Sequence, residues 1–215
     1  MTTAPPEPPE GAHRCFGERL PHAHAFARLL ADTGVSHGLI GPREVPIIWE
    51  RHILNCAVIE DAFPRGAKVI DVGSGAGLPG VALAIARPDL EIHLVEPMQR
   101  RTEWLEGVVG DIGLDQVTVH RGRAEEFVGR LSAPFVTARA VARLDKLARW
   151  CFPLTDDGGA LVAMKGRSAE EELAATTKAL RKAGLVRATV TPHGADVLEE
   201  PTLTIDCVVS RRGRR

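Results

Sequence analysis

The stretch Val69-Ile70-Asp71-Val72-Gly73-Ser74-Gly75-Ala76-Gly77-Leu78-Pro79-Gly80 decides the fold class of this chain. A run of mainly β-branched residues surrounds an aspartate, four glycines follow, and an apolar helical pattern begins after them. A strand, a tight turn and a helix in this order present backbone N–H groups and a helix N-terminus to a ligand. Glycine is needed where the backbone takes a positive φ or where a ligand approaches closely. The stretch therefore predicts a ligand loop at the end of a strand in an α/β sheet.

The glycine spacing fits two classes of ligand. Gly75-x-Gly77-x-x-Gly80, with an acid further on at Glu96, satisfies the fingerprint of dinucleotide-binding proteins. The overlapping pattern Asp71-x-Gly73-x-Gly75-x-Gly77 resembles the first motif of class I S-adenosylmethionine (SAM) methyltransferases. A glycine-rich turn without any ligand is the third interpretation, and the strand-end acid with four glycines makes it the least favoured. The loop alone does not separate SAM from NAD.

Composition sets the broad class of the protein. A length of 215 residues suits one α/β domain with a modest appendage, and 44% hydrophobic with 26% charged residues excludes wholesale disorder. The four cysteines lie far apart without CxxC or Cys/His ligand spacing, which predicts reduced thiols in a cytoplasmic protein and no metal site. No apolar run approaches the roughly 20 residues of a membrane span, and no signal peptide is visible.

Charge is distributed unevenly along the chain. The net charge is −1, but residues 121–149 contain seven basic and three acidic side chains, a local net charge of +4. A basic segment in an otherwise near-neutral chain suits an anionic partner that binds to one face. A solvated surface helix with scattered arginines explains the same numbers, and on charge alone this second explanation is favoured.

The N-terminal third lacks strands of its own. Four of the first nine residues are proline, so we expect residues 1–12 to form a disordered tail. Residues 13–31 are loosely helical in pattern, 35–43 indicate a loop, and 44–63 predict a better amphipathic helix. Residues 13–65 are therefore predicted to form an N-terminal helical extension that packs on the sheet.

From Lys68 onward the pattern alternates between strands and helices. Strands are predicted at 69–72, 91–95, 117–120, from 135, 160–165, 186–191 and 202–210, and helices at 81–86, 100–109, 144–152 and 169–183. The last two strands are suited to a hairpin. This alternation predicts a mostly parallel, doubly wound sheet flanked by helices, spanning residues 66–215, with its sites at the carboxyl ends of the strands.

The rule that sites lie at the carboxyl ends of parallel strands selects a set of residues, most of which are charged. Each has a structural alternative: Glu96 as a helix cap after Pro97, Asp71 as a residue that orders the turn, and the cations as surface charges. Their shared position at one edge of one sheet favours a site. The selected residues are Asp71, Gly73, Glu96, Arg123, Ala124, Glu125, Arg139 and Lys165.

Four segments occur in a consistent order over about residues 35–210. They are Ile47-Ile48-Trp49-Glu50-Arg51-His52-Ile53-Leu54, the stretch quoted at the outset, Ala138-Arg139-Ala140 and Met164-Lys165-Gly166. Together they resemble the RsmG (GidB) family, which uses SAM to methylate guanine N7 in 16S ribosomal RNA. The Gly-Leu-Pro-Gly end of the glycine stretch is more specific than the glycines alone. At the front, Gly38-Leu39-Ile40-Gly41 departs from the more usual Asn-Leu-Thr start.

The resemblance implies a class I SAM-dependent methyltransferase (Rossmann-like) fold with an N-terminal helical extension. It implies that Glu96 takes the ribose hydroxyls of SAM and that Arg139, Lys165 and His52 position the reactants. The implied cofactor-binding residues are Asp71, Gly73, Gly75, Gly77, Leu78, Glu96, Ala124, Glu125 and Arg139. The expected contacts to RNA phosphates are Arg100, Arg101, Arg123, Arg143 and Lys165.

No acid–base constellation is visible in the sequence, and guanine N7 requires none because it carries a lone pair and no proton. We therefore expect no catalytic acid or base and no metal. The expected partner is 16S ribosomal RNA or the small ribosomal subunit. The protein is expected to be a monomer that does not associate with a membrane. Two alternatives remain open: an NAD-dependent oxidoreductase, and a non-catalytic RNA-binding module on a methyltransferase-like fold.

Overall fold

The computed structural model describes residues 4–210 of the chain, and in that range seven strands form one sheet. The strands are β1 (Lys68–Val72), β2 (Glu91–Glu96), β3 (Val117–Arg121), β4 (Ala133–Arg139), β5 (Thr155–Lys165), β6 (Leu185–His193) and β7 (Thr202–Val209). Their spatial order is β3-β2-β1-β4-β5-β7-β6. Strands β1 to β5 run parallel, and β7 is antiparallel to both β5 and β6. The predicted α/β class and the terminal hairpin are confirmed.

The order of the strands reverses between β1 and β4, which are direct neighbours in the sheet. After β1 the chain moves outward through β2 to β3, and it then crosses back to β4. In open α/β sheets such a switch point leaves a crevice beyond the carboxyl ends of the two strands, and ligands bind there. The glycine loop after β1 and the Arg139 end of β4 flank this crevice.

Helices cover both faces of the sheet. The regular helices are α1 (Glu10–Phe16), α2 (Leu20–Leu29), α3 (Asn55–Ala57), α4 (Gly80–Ala86), α5 (Gln99–Ile112), α6 (Leu144–Cys151) and α7 (Ala169–Ala183). One hydrophobic core joins the N-terminal extension, α4 and α5 to one face, with Phe26, Ile53 and Leu83 fully buried. The other core joins α6 and α7 to the opposite face, around Ile70 and Leu161. The extension is thus part of the main core.

The extension differs from its prediction in two places. The tail was expected to be disordered over residues 1–12, but α1 begins at Glu10, Ala12 is fully buried, and the Pro6 carbonyl accepts a 2.8 Å hydrogen bond from the Trp49 indole. Residues 1–3 lie outside the described range. The single helix expected over 44–63 is a run of 3₁₀, π and α turns from 42 to 62. Pro46 lies inside the first 3₁₀ segment, 42–47, and has no N–H for a regular helical hydrogen bond.

Strand β5 is longer than its pattern indicates. It was expected at 160–165, after a turn at Asp157-Gly158-Gly159, but it begins at Thr155 and includes those residues. The pairing with β4 shifts register between Ala133 and Phe135, and Gly158 has a φ of 79°, so the glycines form an irregularity within the strand. At the other end of the chain, residues 211–215 lie outside the described range. No helix among residues 4–210 is both long and apolar enough to cross a membrane.

Candidate active site

A cavity of about 720 Å³ opens at the switch point, on the carboxyl edge of the sheet. We call its two sides the sheet wall and the extension wall. The sheet wall consists of Val72, Gly73, Ser74, Gly75, Ala76, Leu78, Val95, Glu96, Pro97, Met98, Arg101, Gly122, Arg123, Ala124, Glu125 and Trp150. The extension wall consists of Leu39, Ile40, Glu44, Arg51 and His52, and Arg139, Ala140 and Val141 at the end of β4 join the two. Most of the predicted site residues therefore meet in one place.

The glycine loop is held by hydrogen bonds from its own backbone. Gly73 N–H donates to the Val95 carbonyl at 2.8 Å, and Gly75 N–H donates to Glu96 Oε2 at 3.0 Å. The two glycines have φ values of 76° and 55°, which L side chains rarely adopt. A Cβ on Gly75 would meet only the Gly73 carbonyl oxygen within 4 Å, so the space beside it is open. The loop thus forms a smooth cradle on the sheet wall.

Glu96 ties this loop to the loop after β2. Its Oε1 accepts a 3.0 Å hydrogen bond from Met98 N–H, its Oε2 accepts the one from Gly75, and Arg101 lies 3.8 Å from Oε2. The residue is only 2% exposed, yet it lines the cavity. Each carboxylate oxygen has a second lone pair, so the group can still accept hydrogen bonds from a ligand. That Glu96 binds the ribose hydroxyls stays a prediction.

Two residues predicted to bind the cofactor lie behind the loop and do not line the cavity. Asp71 is fully buried, where its Oδ2 accepts a 3.0 Å hydrogen bond from Gly80 N–H. Its Oδ1 has no hydrogen-bond partner, and burial raises the pKa of this carboxyl to about 7. A Cβ on Gly77 would collide with Val81. In this structure Asp71 and Gly77 therefore shape the loop from behind, and direct contact of either residue with the cofactor stays a prediction.

Arg139 joins the sheet to the extension. One guanidinium nitrogen donates to Cys56 Sγ at 3.2 Å, and the other donates to the Arg51 carbonyl at 2.9 Å and to His52 Nδ1 at 3.1 Å. Cys56 is fully buried, and burial raises its pKa to about 11, so it is a neutral thiol near pH 7. The side chain predicted to position the reactants thus holds three groups of the extension against the end of β4.

His52 continues this chain of contacts to Glu44. Burial, and then the charge of Arg139, lower the pKa of the imidazole, so it is neutral near pH 7. Since Nδ1 accepts a hydrogen bond from Arg139, Nε2 carries the hydrogen of the neutral ring, and it lies 3.2 Å from Glu44 Oε1. Glu44 Oε2 accepts a 2.9 Å hydrogen bond from Gly41 N–H, which lowers the pKa of Glu44. The extension wall therefore carries a neutral imidazole beside a carboxylate.

Lys165 does not face the cavity. Its ammonium group donates to the Ala142 carbonyl at 3.0 Å and to Glu172 Oε1 at 2.8 Å, and its side chain is 10% exposed. Leu144 N–H donates to the same carboxylate oxygen. That Lys165 contacts RNA phosphates or positions the reactants stays a prediction, and in this structure its side chain does not line the cavity. Glu172 neutralises the cation, and the pair fastens the loop after β4.

The predicted RNA-binding arginines fall into two groups. Arg101 and the exposed Arg123 line the cavity, and the exposed Arg100 adjoins Arg101 in the first turn of α5. Arg143 is exposed but makes a two-point ion pair with Asp145, at 2.8 and 2.9 Å. Among residues 4–210, Arg101 makes an ion pair with Glu96 at 3.8 Å and Arg143 makes one with Asp145, whereas Arg100 and Arg123 make none within 4.0 Å.

Several lining residues were not selected from the sequence. The rule that sites lie at strand ends does not identify them. Three come from the segment 39–44, two are apolar residues in loops and one is on α6. They are Leu39, Ile40, Glu44, Met98, Val141 and Trp150. Glu44 alone carried a signal, since it is an acid three residues before the first family-like segment. Within residues 4–210 no group of three or more His, Cys, Asp or Glu side chains could hold a metal ion.

The cavity fits a ligand of the size and chemistry of SAM. Its volume falls in the range of about 300–1,000 Å³ that is typical of small-molecule sites. Gly75 leaves open space beside the loop, and the Glu96 carboxylate offers further acceptor positions at the end of β2. These features accommodate a bulky adenosine derivative with ribose hydroxyls.

Comparisons with known proteins agree with this fit. The family model for rRNA small subunit methyltransferase G, GidB, matches residues 19–199. The ribosomal RNA small subunit methyltransferase G of Pseudarthrobacter chlorophenolicus is 54% identical over 200 residues, covering 93% of each chain. Among solved structures, the S-adenosylmethionine-dependent methyltransferase SibL aligns with a TM-score of 0.61 and 18% identity, over 94% of this chain and 70% of SibL. Fibrillarin from Aeropyrum pernix, with natively bound SAM, aligns with a TM-score of 0.51 and 21% identity over 67% of each chain.

The structural likenesses show the class I methyltransferase fold, and the family match decides between the ligands that the glycine spacing left open. The enzyme is a methyltransferase that uses SAM, and the NAD-dependent oxidoreductase and the non-catalytic module are set aside. The resemblance seen in the sequence is confirmed. The chain belongs to the rRNA small subunit methyltransferase G (GidB) family.

Proposed function

We propose that this protein transfers the methyl group of SAM to N7 of a guanine in 16S ribosomal RNA. The observation that carries the proposal is the meeting of the glycine loop, Glu96 and the turn at Ala124–Glu125 around one cavity, in a chain of this family. When bound, SAM supplies an electrophilic methyl group on a sulfonium centre. The relatives are named for the small-subunit RNA, and guanine N7 is the acceptor that the sequence resemblance implies.

In this proposal the sheet wall binds the cofactor. Gly73, Gly75 and Leu78 lie along one side of the cofactor. Glu96 accepts hydrogen bonds from the ribose hydroxyls, using the lone pairs that are not engaged by Gly75 N–H and Met98 N–H. A set of residues at the end of β3 and β4 completes the pocket; these are Ala124, Glu125 and Arg139. Because the loop amides are already hydrogen-bonded within the protein, the sheet wall needs little reorganisation when the cofactor binds.

No side chain has to remove a proton for this reaction. Guanine N7 presents an in-plane lone pair, so the protein contributes by positioning the base and excluding water. The nearest candidate base, His52, hydrogen-bonds to Arg139 through Nδ1 and has its Nε2 beside Glu44. Its role in the proposal is to hold the extension wall in place.

The rim supplies the contacts to RNA. Arg100, Arg101 and Arg123 stand at or near the opening, where they can neutralise phosphates and fix the register of the substrate.

We also propose that the protein is cytoplasmic and monomeric and that it works without a metal. A reducing compartment is supported by the four cysteines, which are all free thiols in the structure.

Mapping of labelled methyl groups tests the proposal. The protein, methyl-labelled SAM and either 16S RNA or small-subunit particles are incubated together, and the RNA is digested and analysed by mass spectrometry. We expect one 7-methylguanine at one position. A label on an exocyclic amine, a carbon or a ribose, or no label on either substrate, contradicts the proposal.

The pH profile of the same reaction tests the absence of a base. Single-turnover methylation at saturating RNA and SAM should be nearly flat from about pH 6 to 9, without the limbs that acid–base catalysis produces. A single-pKa limb that disappears in the His52→Gln variant shows that His52 is a general base, and it moves the acceptor away from N7.

A further inference from the structure

Three acids line the cavity among the described residues: Glu44, Glu96 and Glu125. Glu96 already binds Gly75 N–H and Met98 N–H, and Glu125 belongs to the turn after β3, so both serve the sheet wall. Glu44 is the one acid on the extension wall within residues 4–210. Its carboxylate lies beside His52 Nε2, whereas Arg139 at the end of β4 contacts Nδ1 of the same ring.

Glu44 is held firmly and still has acceptor capacity. Its Oε2 accepts the hydrogen bond from Gly41 N–H at 2.9 Å, and its Oε1 lies 3.2 Å from His52 Nε2 and 4.0 Å from Arg51 Nε. The side chain is 36% exposed. A carboxylate offers about four lone-pair positions, so the protein leaves part of this group free at the cavity. Fixed position and free lone pairs are the two properties that a recognition group needs.

The chemistry of guanine gives such a carboxylate a partner. N7 and O6 of guanine are acceptors on one edge, whereas N1–H and the N2 amino group are donors on the Watson–Crick edge. If N7 faces the methyl donor on the sheet wall, the Watson–Crick edge faces away from that wall, toward the extension. One carboxylate can accept from both donors, and no other standard base offers this pair.

We propose that Glu44 reads the N1–H and N2–H₂ edge of the target guanine and is a specificity-determining residue for the methyl transfer. The inference rests on the proposed function, because it needs guanine N7 as the acceptor. His52 and Arg139 act as positioning residues that set the distance of the carboxylate from the sheet.

The test replaces the guanine found by methyl mapping with inosine, which lacks only the N2 amino group. For the wild-type enzyme, kcat/KM should fall by about tenfold or more, as expected when one member of a bidentate base contact is lost. Glu44→Gln keeps the size of the side chain and an acceptor for Gly41 N–H. In this variant kcat/KM on the guanine RNA should fall by a similar factor, and the ratio between guanine and inosine RNA should approach about one.

The matched control is Glu50→Gln, an exposed glutamate of the same helical segment that does not line the cavity. This variant should keep the wild-type ratio. If Glu44→Gln slows both RNAs by the same factor and keeps the ratio, Glu44 only supports the wall and the proposal is overturned.

Two further measurements keep the outcome decisive. SAM affinity of Glu44→Gln, measured by calorimetry, should match the wild type because the residue lies away from the glycine loop. If that variant does not fold, the wild-type enzyme is tested on inosine RNA and on RNA with 1-methylguanine, and wild-type rates on both overturn the proposal. A wild-type enzyme that methylates no guanine contradicts the proposed function itself, which is a separate result.

Discussion

The two walls of the cavity are held together in different ways. The sheet wall is fixed by main-chain hydrogen bonds between neighbouring strand ends, such as Gly73 N–H to the Val95 carbonyl and Gly122 N–H to the Glu96 carbonyl. The extension wall is attached through side chains: Arg139 contacts Cys56, Arg51 and His52. One wall therefore inherits its shape from main-chain pairing in the sheet. The helices of the other wall share the hydrophobic core, but at the cavity this wall meets the end of β4 through the guanidinium group of Arg139.

This difference separates the two tasks of the enzyme. A preformed backbone cradle suits a cofactor that is the same in every turnover, and it tolerates changes elsewhere in the protein. At the cavity the extension wall meets β4 through side-chain hydrogen bonds, so local opening there needs the loss of only a few hydrogen bonds while the hydrophobic core stays intact. Substitutions in the two walls should accordingly have separable effects on stability, on SAM binding and on RNA.

The largest expected effect of a single substitution at neutral pH lies directly behind the sheet wall, at Gly80. A Cβ at this position would collide with the buried Leu94 side chain and come within 2.8 Å of Asp71 Oδ2. Gly80→Ala should lower the free energy of unfolding by about 3 kcal/mol, as overpacking of a close-packed core does, and should weaken SAM binding. Urea denaturation and calorimetry measure the two effects.

Gly107→Ala is the control for that substitution. Gly107 lies inside α5, and a Cβ there has no neighbour within 4 Å. Alanine should raise the free energy of unfolding by about 0.5–1 kcal/mol because helical glycine is entropically unfavourable. Equal effects of the two substitutions would show that the close packing behind the glycine loop does not stabilise the sheet wall.

A smaller effect is expected where the extension wall is attached. Arg139→Lys keeps the charge, but one ammonium group cannot reproduce the fork that reaches Cys56, the Arg51 carbonyl and His52. The free energy of unfolding should fall by about 2 kcal/mol, given about 1 kcal/mol for each hydrogen bond lost. Hydrogen exchange should accelerate over residues 49–57 and stay unchanged in β1.

Arg143→Lys provides the comparison, because Arg143 is exposed and only paired with Asp145. It should leave the free energy of unfolding essentially unchanged, because an exposed ion pair contributes little to stability. Exchange that accelerates in β1 as strongly as in residues 49–57 would contradict the separate attachment of the two walls.

The third effect distinguishes the walls by pH. Burial raises the pKa of Asp71 to about 7 in the folded protein, above the value of about 3.9 in unfolded chains. The contribution of this carboxyl to stability is therefore fully present below about pH 4 and is lost as the pH rises through 7. Relative to Asp71→Asn, the wild type should lose up to about 1.4 kcal/mol per pH unit in this window.

Urea denaturation from pH 4 to 8 measures the difference. Asp89→Asn serves as the control, since hydrogen bonds from Arg87 lower the pKa of Asp89 and place its titration below this window. The Asp89→Asn and wild-type profiles should run parallel between pH 5 and 8. If the Asp71→Asn and wild-type profiles also run parallel, the buried carboxyl has the same pKa in the folded and the unfolded protein.

The sheet wall was largely predictable from the sequence. Runs of β-branched residues locate the strands, glycines mark the loop that needs positive φ, and a strand-end acid such as Glu96 is placed at the carboxyl edge by the parallel topology. These are local signals joined by one topological rule. Local signals do not show depth, so they do not distinguish Gly73 and Gly75, which line the cavity, from Asp71 and Gly77, which do not.

The extension wall was not predictable in the same way. Its attachment joins Arg139 to His52 across 87 residues, and nothing in either local sequence specifies that pairing. Leu39 and Ile40 lie in a segment whose pattern indicates only a loop. Lys165 is predicted from its strand-end position to contact RNA, and the sequence does not show that its ammonium group is paired. Its partner, Glu172, comes from the next helix and becomes visible only when the helix packs.

The smallest expected effect concerns the charges around the opening. Each contact between an arginine and a phosphate releases condensed counterions, so the slope of log affinity against log salt changes by about 0.7–0.9 per contact. Arg100→Gln and Arg123→Gln should each flatten the slope for RNA binding by about that amount and leave SAM affinity unchanged. Arg143→Gln should change the slope less, because Asp145 already pairs with this side chain at 2.8 and 2.9 Å. Filter binding of 16S RNA between low and physiological salt gives the slopes. A larger change for Arg143→Gln than for the other two variants would show that the RNA breaks the pair with Asp145, and that the phosphates bind nearer to α6 than to the first turn of α5.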